Sequence, residues 1–446
     1  MKSQKSINRD HAQKKNRPQP EDPVIAEHIQ NIIMPAITAQ GEYYRELNLR
    51  DRILTLPVMI AAILTLLWRE IPGVTELTRT LNREGFLGCP RTKVSQQALS
   101  QRFLTFPAVL FERVFESILP NLEKQWKSRQ SRPLPESVQW GLRKFEKIWI
   151  ADTSTLEALF RKLQSLEEVP KGQLGGKMGT LIDLVTRLPV KIWYWENPKQ
   201  SDSKWEEDLL KEVKAKTLLL LDRGFYHFAF WQKLIDKKID FITRIKKGAS
   251  YQVETVLTKS YEVKDQIIRL GSGKNKTPIV TLRLVEIRQG KTWHSYLTSV
   301  LNPEILPPYV VADLYRKRWR IETAFCLVKR LLKLSYLWTG SVNGIQLQIW
   351  GTWLFYAILV DLGDAVADEL ELPFDRISLE MTYRGLYHFS VAYQKGLTSD
   401  PVQYFADPKN QDLGIVKRQR KPRVRLIISP FPATQRSPDK FFFTPS

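Results

Sequence analysis

LYRKRWRIETAFCLVKRLLKL, residues 314–334, is the stretch around which the rest of the chain is arranged. Its apolar residues recur at helical spacing, which predicts a single helix with one face docked on a core. At about 100° per residue, four polar side chains share a stripe about 60° wide: Tyr315, Arg318, Glu322 and Lys329. A lone carboxylate among cations favours a metal or phosphate site. A surface helix with an Arg–Glu pair four residues apart has the same charge pattern.

The spacing of these four residues narrows the choice. Along the chain it reads Tyr, two residues, Arg, three residues, Glu, six residues and Lys. This pattern resembles the Y-R-E-K signature of the IS4 family of DDE transposases, which has the same residue types at the same separations. The resemblance implies that Glu322 is the third metal-binding carboxylate and that two aspartates precede it on strands.

Two upstream aspartates follow strand-like runs. KIWIADTST, Lys147–Thr155, predicts a strand that ends at Asp152, and TLLLL, Thr217–Leu221, predicts a central strand that runs into Asp222. Gly224 then allows a sharp exit from the second strand. Taken alone, an aspartate in the position of Asp152 is more often a turn or cap residue, and Asp222 fits a turn after a core strand equally well. Both nevertheless match the family's motifs, a hydrophobic strand leading into Asp and then Ser or Thr, and the form D-x-G-F/Y.

The elements around these aspartates predict the fold class. Residues 175–195 alternate as a hairpin, on which Asp183 is a competing carboxylate that we rank lower because it is predicted mid-strand. Two helices and a further strand are expected at residues 202–216, 228–237 and 241–245. This order resembles an RNase H-like α/β core, a mixed sheet flanked by helices. We assign residues 143–245 to its first part and 305–366, with the Glu-bearing helix, to its second.

Residues 246–304 have the alternation of a β-rich insertion, which the IS4 family places between its second Asp and its Glu. At the end of the insertion, Thr298, Ser299 and Leu301 approximate the family's Thr-Asn-Leu ending, with Ser in place of Asn. Trp293 lies near the position at which some relatives use a Trp to occupy the space of a flipped base. A buried strand tryptophan is the other interpretation.

The segments outside the core are predicted to bind DNA. Residues 1–23 are basic and proline-punctuated, which predicts a disordered tail. Residues 24–142 are expected to form an all-helical N-terminal DNA-binding domain. Within it, VSQQALSQRF, residues 94–103, offers side chains suited to bases and phosphates: Gln97, Gln101 and Arg102. A helix-turn-helix and an ordinary polar helix fit this segment equally well. The C-terminal region, residues 367–446, carries a basic cluster at 417–425 that is expected to make DNA or dimer contacts, or to be a solvated tail.

The composition supports a nucleic-acid partner. The 446 residues carry 68 Lys and Arg against 47 Asp and Glu, a net charge of +21. Such an excess attracts polyanions, although a merely basic surface would have the same charge. Two cysteines and five histidines show neither a disulfide framework nor a zinc pattern, which favours a reducing cytoplasm. We expect no signal peptide, because the basic N-terminus is not followed by an apolar run. We also expect no membrane span, because residues 53–68 are short and contain Pro57, and residues 350–360 are short.

The resemblance also implies roles for the signature residues. Asp152, Asp222 and Glu322 would hold two Mg²⁺ or Mn²⁺ ions, which prefer carboxylate oxygens. Tyr315, Arg318 and Lys329 would bind DNA phosphates, and Trp319 would stack on a base or pack in the core.

The activity that the family implies is cut-and-paste transposition in a prokaryotic, nucleoid-associated setting. A homodimer in a synaptic complex would bind terminal inverted repeats and target DNA, cleave the transposon ends and transfer the 3′-hydroxyl strand. Well-studied relatives pass through a DNA hairpin. Two alternatives stay open: an RNase H-like metal-dependent nuclease without strand transfer, and an inactive domesticated DNA-binding protein.

Overall fold

The computed structural model describes most of the chain between residues 23 and 417. The described residues are 23–49, 52–71, 73–156, 176–197, 202–271, 278–332, 334, 341–417, 426–427 and 442–443. Two predicted features lie outside them: the tail at residues 1–22, and residues 418–425 of the C-terminal basic cluster.

The chain divides into two compact units. The first consists of Met1–Leu122, Asn343–Leu370 and Ile377–Val416. The second consists of Glu123–Val342, Glu371–Arg376 and Lys417–Ser446. This division differs from the boundaries expected from sequence. The apolar helix expected at residues 345–366 falls in the unit of the N-terminal helices, and the expected β-rich insertion falls in one unit with the core.

The helices of the described chain lie in both units. In chain order they are Pro23–Thr38 (α1), Gly41–Glu46 (α2), Leu56–Trp68 (α3), Val74–Arg83 (α4), Gln96–Thr105 (α5), Ala108–Ser128 (α6), Glu136–Leu142 (α7), Asp202–Glu212 (α8), Phe228–Asp236 (α9), Pro308–Arg316 (α10), Trp319–Cys326 (α11), Val342–Glu369 (α12), Leu379–Gln394 (α13) and Pro401–Ala406 (α14).

The second unit is built on a sheet that has nine strands in the described chain. They are Lys147–Thr155 (β1), Lys177–Asp183 (β2), Pro189–Trp195 (β3), Thr217–Leu221 (β4), Asp240–Arg244 (β5), Tyr251–Lys259 (β6), Val263–Leu270 (β7), Val280–Gln289 (β8) and Thr292–Thr298 (β9). Their order is β3-β2-β1-β4-β5-β9-β8-β7-β6. β1 pairs in parallel with β4, and β4 with β5, whereas the other neighbours are antiparallel. A mixed sheet with helices fits the predicted RNase H-like fold.

The core of this unit forms around β4. All five residues of β4 are buried because other strands flank it on both sides and apolar side chains cover its faces. Trp205 of α8 and Trp231 of α9 belong to the same cluster of buried residues as Leu219 and Leu221. The sequence TLLLL predicted this central strand with its observed bounds.

The predicted β-rich insertion does form strands, but they continue the core sheet. β9 pairs with β5, with Arg244 opposite Tyr296. Inside the added part, Arg283 and Asp265 form a fully buried ion pair through two bonds of 2.7 Å. Arg283 Nη1 also donates to the Leu306 carbonyl at 2.7 Å. The buried pair therefore anchors the segment that leads directly into α10.

The prediction of one continuous helix over residues 314–334 is wrong. α10 ends at Arg316 and α11 begins at Trp319, followed by a π-helical turn at Leu327–Leu331. At the break, the amide of Arg318 donates to Tyr315 O at 3.0 Å and that of Ile321 to Arg318 O at 3.1 Å. These bonds span three residues instead of four, so the helix is locally tighter.

The first unit is helical throughout its named elements. α3 is a buried helix, as predicted, whereas α12 runs for 28 residues and is longer than expected. By length and composition α12 is apolar enough to cross a membrane, but 94% of its most apolar window is buried within the structure. Such burial is typical of a core helix.

α5 begins after a capping serine, because Ser95 Oγ accepts from the Ala98 amide at 3.1 Å. Residues 84–95 connect α4 to α5. This connection is longer than the turn of roughly three or four residues in a helix-turn-helix. The structure therefore favours the polar-helix interpretation of the segment.

Candidate active site

The parallel register of β1 and β4 brings the two aspartates to one edge of the sheet. The last parallel pair is Ala151 with Leu221, and Asp152 and Asp222 are the next residues of the two chains. Asp222 directly follows its strand, as predicted. Asp152 does not end its strand, because β1 continues to Thr155 through antiparallel pairing with β2. It marks the end of the pairing with β4 instead.

Glu322 reaches the same place from α11, and one side chain contacts all three acids. Arg318 Nη1 lies 2.8 Å from Asp152 Oδ2, and its Nη2 lies 3.2 Å from Asp222 Oδ1. Nη1 also lies 3.9 Å from Glu322 Oε1. The three carboxylates predicted from sequence therefore converge, and they converge on a guanidinium. Arg318 is only 5% exposed.

Burial dominates the electrostatics of Asp152. It raises the pKa of this carboxyl to about 7, opposed by the charge of Arg318 and reinforced by the negative charges of Asp222 and Glu322. Burial also works against the charge of Arg318. Tyr315 and the three carboxylates outweigh it and hold the pKa of the guanidinium above its usual value. The site therefore contains a permanent cation that offsets clustered acids.

The donor set suits a hard divalent cation. Three carboxylates from three different elements supply oxygen ligands, which Mg²⁺ and Mn²⁺ prefer. Within the described chain, no three His, Cys, Asp or Glu side chains are already grouped closely enough to hold a metal ion. The carboxylates instead share Arg318 at 2.8 to 3.9 Å. The three carboxylates thus have the oxygen chemistry and the convergence that suit a divalent cation. In this structure the Arg318 guanidinium is the cation that links them.

The other signature residues lie around this cluster. Tyr315 is buried, with its ring centre 5.9 Å from Arg318 Cζ, and Lys329 Nζ donates to the Thr155 carbonyl at the end of β1 at 2.6 Å. Trp319 is 64% exposed, with its ring centre 5.7 Å from Arg318 Cζ. An exposed indole beside the acids is available to a base, whereas core packing of Trp319 does not occur. The expected DNA contacts of these residues stay predictions.

Trp293 is not brought to the signature residues. Successive side chains of a strand point to opposite faces, so Trp293 and Tyr296 lie on opposite faces of β9. Tyr296 packs against Tyr315 with ring centres 5.5 Å apart, whereas Trp293 lies under Lys264 Nζ at 4.5 Å. The structure gives no support to a role for Trp293 beside Glu322.

The polar residues predicted on α5 belong to the first unit. Gln97 and Gln101 are exposed. Arg102 is held within its own unit, because its Nε donates to the Leu54 carbonyl at 3.2 Å and its guanidinium lies 4.7 Å from the Phe106 ring centre. The glutamines remain accessible to a ligand, while Arg102 is engaged in packing.

Asp183 has a structural role. The prediction that it lies mid-strand is wrong, since it is the last residue of β2. Its carboxylate accepts from Trp149 Nε1 at 3.1 Å and from the amides of Val185 and Thr186 at 2.8 and 2.9 Å. These bonds stabilise the turn into β3, where Asp183 lies opposite Trp149, three residues before Asp152 on β1.

Sequence reasoning missed Arg244. β4 and β5 are parallel, with Leu220 opposite Ile242, so Arg244 at the end of β5 and Asp222 after β4 lie at the same edge of the sheet. Its guanidinium lies 6.0 Å from the Tyr296 ring centre, and no carboxylate within 4 Å pairs with it in the described chain. A basic residue closing a strand parallel to the Asp222 strand was the available signal.

Part of the chain is similar to known proteins. Residues 163–358, which include Asp222 and Glu322 and begin after Asp152, match the family described as Transposase DDE domain. The chain is 28% identical over 174 residues to Transposase InsG for insertion sequence element IS4 from Escherichia coli. It is 28% identical over 158 residues to Putative transposase y4zB from Sinorhizobium fredii, and 26% over 163 to Putative transposase for insertion sequence element IS4SA from Synechocystis.

These matches are partial. For the Escherichia coli, Sinorhizobium and Synechocystis proteins in turn, they cover 36%, 33% and 35% of this chain. They cover 38%, 43% and 45% of the relatives. The chain therefore matches less than half of the length of each relative.

The raised pKa of Asp152 predicts a pH-dependent stability. A carboxyl with a pKa of about 7 in the folded protein and 3.8 ordinarily binds its proton more tightly when folded. The contribution of the protonated carboxyl to the free energy of unfolding is therefore fully present below pH 3.8 and is lost as the pH rises to about 7. In EDTA, the melting temperature of Asp152→Asn minus that of wild type should therefore increase as the pH rises from 3.8 to about 7. Asp208→Asn, which changes a half-exposed carboxylate of α8, is the control. A difference between Asp152→Asn and wild type that does not change with pH would contradict the assignment.

Proposed function

Because the chain belongs to the IS4 family of DDE transposases, we propose that it cleaves DNA at transposon ends and joins the freed 3′-hydroxyl to target DNA. The observation that carries the proposal is the convergence of Asp152, Asp222 and Glu322 beside one cation. Metal-dependent phosphodiester transfer needs several carboxylates in one place. A surface ion pair needs only one.

Asp152, Asp222 and Glu322 would hold two Mg²⁺ or Mn²⁺ ions. When bound, such ions would supply positive charge that activates the attacking oxygen and stabilises the negative charge on the leaving oxygen and on the phosphate. The protein positions the ligands unequally. Asp152 is fixed on a buried strand, whereas the side chains of Asp222 and Glu322 are 40% and 43% exposed. The open side of the cluster is therefore the side from which DNA would approach.

The cations around the cluster would hold the DNA backbone. Arg244 ends β5 at the edge of the sheet where Asp222 lies, and Lys329 Nζ contacts the Thr155 carbonyl at the end of β1. Phosphates bound by these two residues would lie on either side of the carboxylates. Trp319, exposed next to Arg318, would stack on a base near the cut. Orientation of the scissile phosphate is the contribution these side chains would make.

The partners are inferred from charge and family. A net charge of +21 suits a protein that binds terminal inverted repeats and target DNA. The proposal includes a homodimer in the synaptic complex, a DNA hairpin between cleavage and joining, and action in the bacterial cytoplasm. Gln97 and Gln101, exposed on α5, are the side chains we propose for contacts with the repeats.

Cleavage of a supercoiled plasmid that carries the element's own ends tests this function. Wild type and Asp208→Ala should cut at the ends with Mg²⁺ or Mn²⁺ and not in EDTA. Asp152→Ala and Glu322→Gln should lose at least about 100-fold of the cleavage rate, because each removes a metal ligand, while end binding changes little. Joining of pre-cut ends separates a transposase from a nuclease. End binding by wild type without any metal-dependent cut would contradict the proposal.

Arg244 is expected to contribute one phosphate contact. Arg244→Ala should weaken binding of end DNA and reduce the slope of log K against log salt by about 1. Arg384→Ala, on α13, where Arg384 pairs with Glu380 at 2.6 Å, is the matched loss of one charge and should leave the slope unchanged. Titrations of labelled end DNA at several salt concentrations measure both. Equal slopes for wild type and Arg244→Ala would exclude the contact.

A further inference from the structure

We propose that Arg318 is a positioning residue that holds the three carboxylates together in the metal-free protein and must leave them when metal binds. The inference rests on the proposed function and concerns the order of events at that same site. Its basis is the set of contacts that one guanidinium makes to three separate elements.

Arg318 is the shared partner of the whole cluster. Its three contacts reach β1, the residue after β4, and α11, at 2.8, 3.2 and 3.9 Å. Among the described residues, no other Lys, Arg or His lies within ion-pair distance of Asp152, Asp222 or Glu322. An ordinary structural ion pair would need only one acid. Here a single positive charge offsets the mutual repulsion of three acids, as a metal ion would.

A divalent ion and this guanidinium exclude each other. Both require the inner oxygens of Asp152 and Asp222, and two cations sharing these oxygens would repel strongly within a few ångströms. Metal binding therefore includes the free-energy cost of releasing Arg318. As a result, Arg318 lowers the metal affinity of the protein in the absence of DNA.

The position of Arg318 is suited to release. It occupies the break between α10 and α11, directly before the first residue of α11. Its Nε is buried without a hydrogen-bond partner in the described chain, which makes the inward position incompletely satisfied. The exposed ring of Trp319, 5.7 Å from its Cζ, offers a neighbouring cation–π site. A DNA phosphate would offer a full negative charge.

The arrangement couples metal to substrate. A phosphate that binds Arg318 removes the competitor of the metal, and a metal that displaces Arg318 frees it for the phosphate. By linkage each ligand would increase the affinity of the other. The carboxylates would then bind metal tightly only when DNA is present.

Direct Mn²⁺ binding to the full chain without DNA tests the inference. Free Mn²⁺ can be measured by electron paramagnetic resonance during titration of wild type, Arg318→Gln and Arg316→Gln. Arg318→Gln should bind Mn²⁺ about tenfold more tightly than wild type, because the competing charge is gone. Arg316→Gln removes the same charge two residues away and should change the affinity far less. Equal or weaker binding by Arg318→Gln would overturn the inference.

A replacement variant and two negative results complete the test. If Arg318→Gln does not fold, Arg318→Lys replaces it: lysine is shorter and its ammonium lacks the planar fork that reaches Asp152 and Asp222 together, so tighter Mn²⁺ binding than wild type supports the inference and equal or weaker binding overturns it. If neither wild type nor any folded variant binds Mn²⁺ at the carboxylates, with or without DNA, the proposed function itself fails. If all bind equally, only the role of Arg318 fails.

Discussion

The parallel pairing of β1 with β4 is the constraint on which the site depends. It stops at Ala151 and Leu221, so the next residue of each chain, Asp152 and Asp222, leaves the sheet at the same edge. Burial of all five β4 residues holds this strand in the centre of the sheet, next to β1. The hydrophobic core thereby sets the spacing of two acids, and α11 only has to deliver the third.

Clustering acids has an electrostatic cost that the fold must offset. Asp152 is buried, and its pKa of about 7 reflects the free energy needed to keep it ionised there. Arg318 supplies the offsetting charge from the break between α10 and α11. The buried Arg283–Asp265 pair anchors the segment that leads into α10, so the inserted strands help to place that break. Core, insertion and signature helix thus act on one cluster.

The parts of this arrangement that sequence predicts are the local ones. TLLLL predicts a central strand, and the spacing of Tyr315, Arg318, Glu322 and Lys329 points to the family. Pairing between distant segments was not visible. β1 extends past Asp152 because β2 pairs with it, and the inserted strands join the sheet because β9 pairs with β5. The apolar periodicity of residues 314–334 runs straight through the break at Arg318, so the break itself could not be foreseen.

Iron-directed cleavage of the protein backbone tests the central claim most directly. When hydrogen peroxide and ascorbate are added, Fe²⁺ bound in place of Mg²⁺ reduces the peroxide to hydroxyl radicals, which cut the chain close to the ion, and ascorbate restores the Fe²⁺. If the three acids share one metal site, we expect cuts near Asp152, Asp222 and Glu322 together. Excess Mg²⁺ should suppress these cuts, and Asp152→Ala should weaken them at all three positions. Cuts confined to other segments, or cuts near only one of the three residues, would contradict a shared metal site.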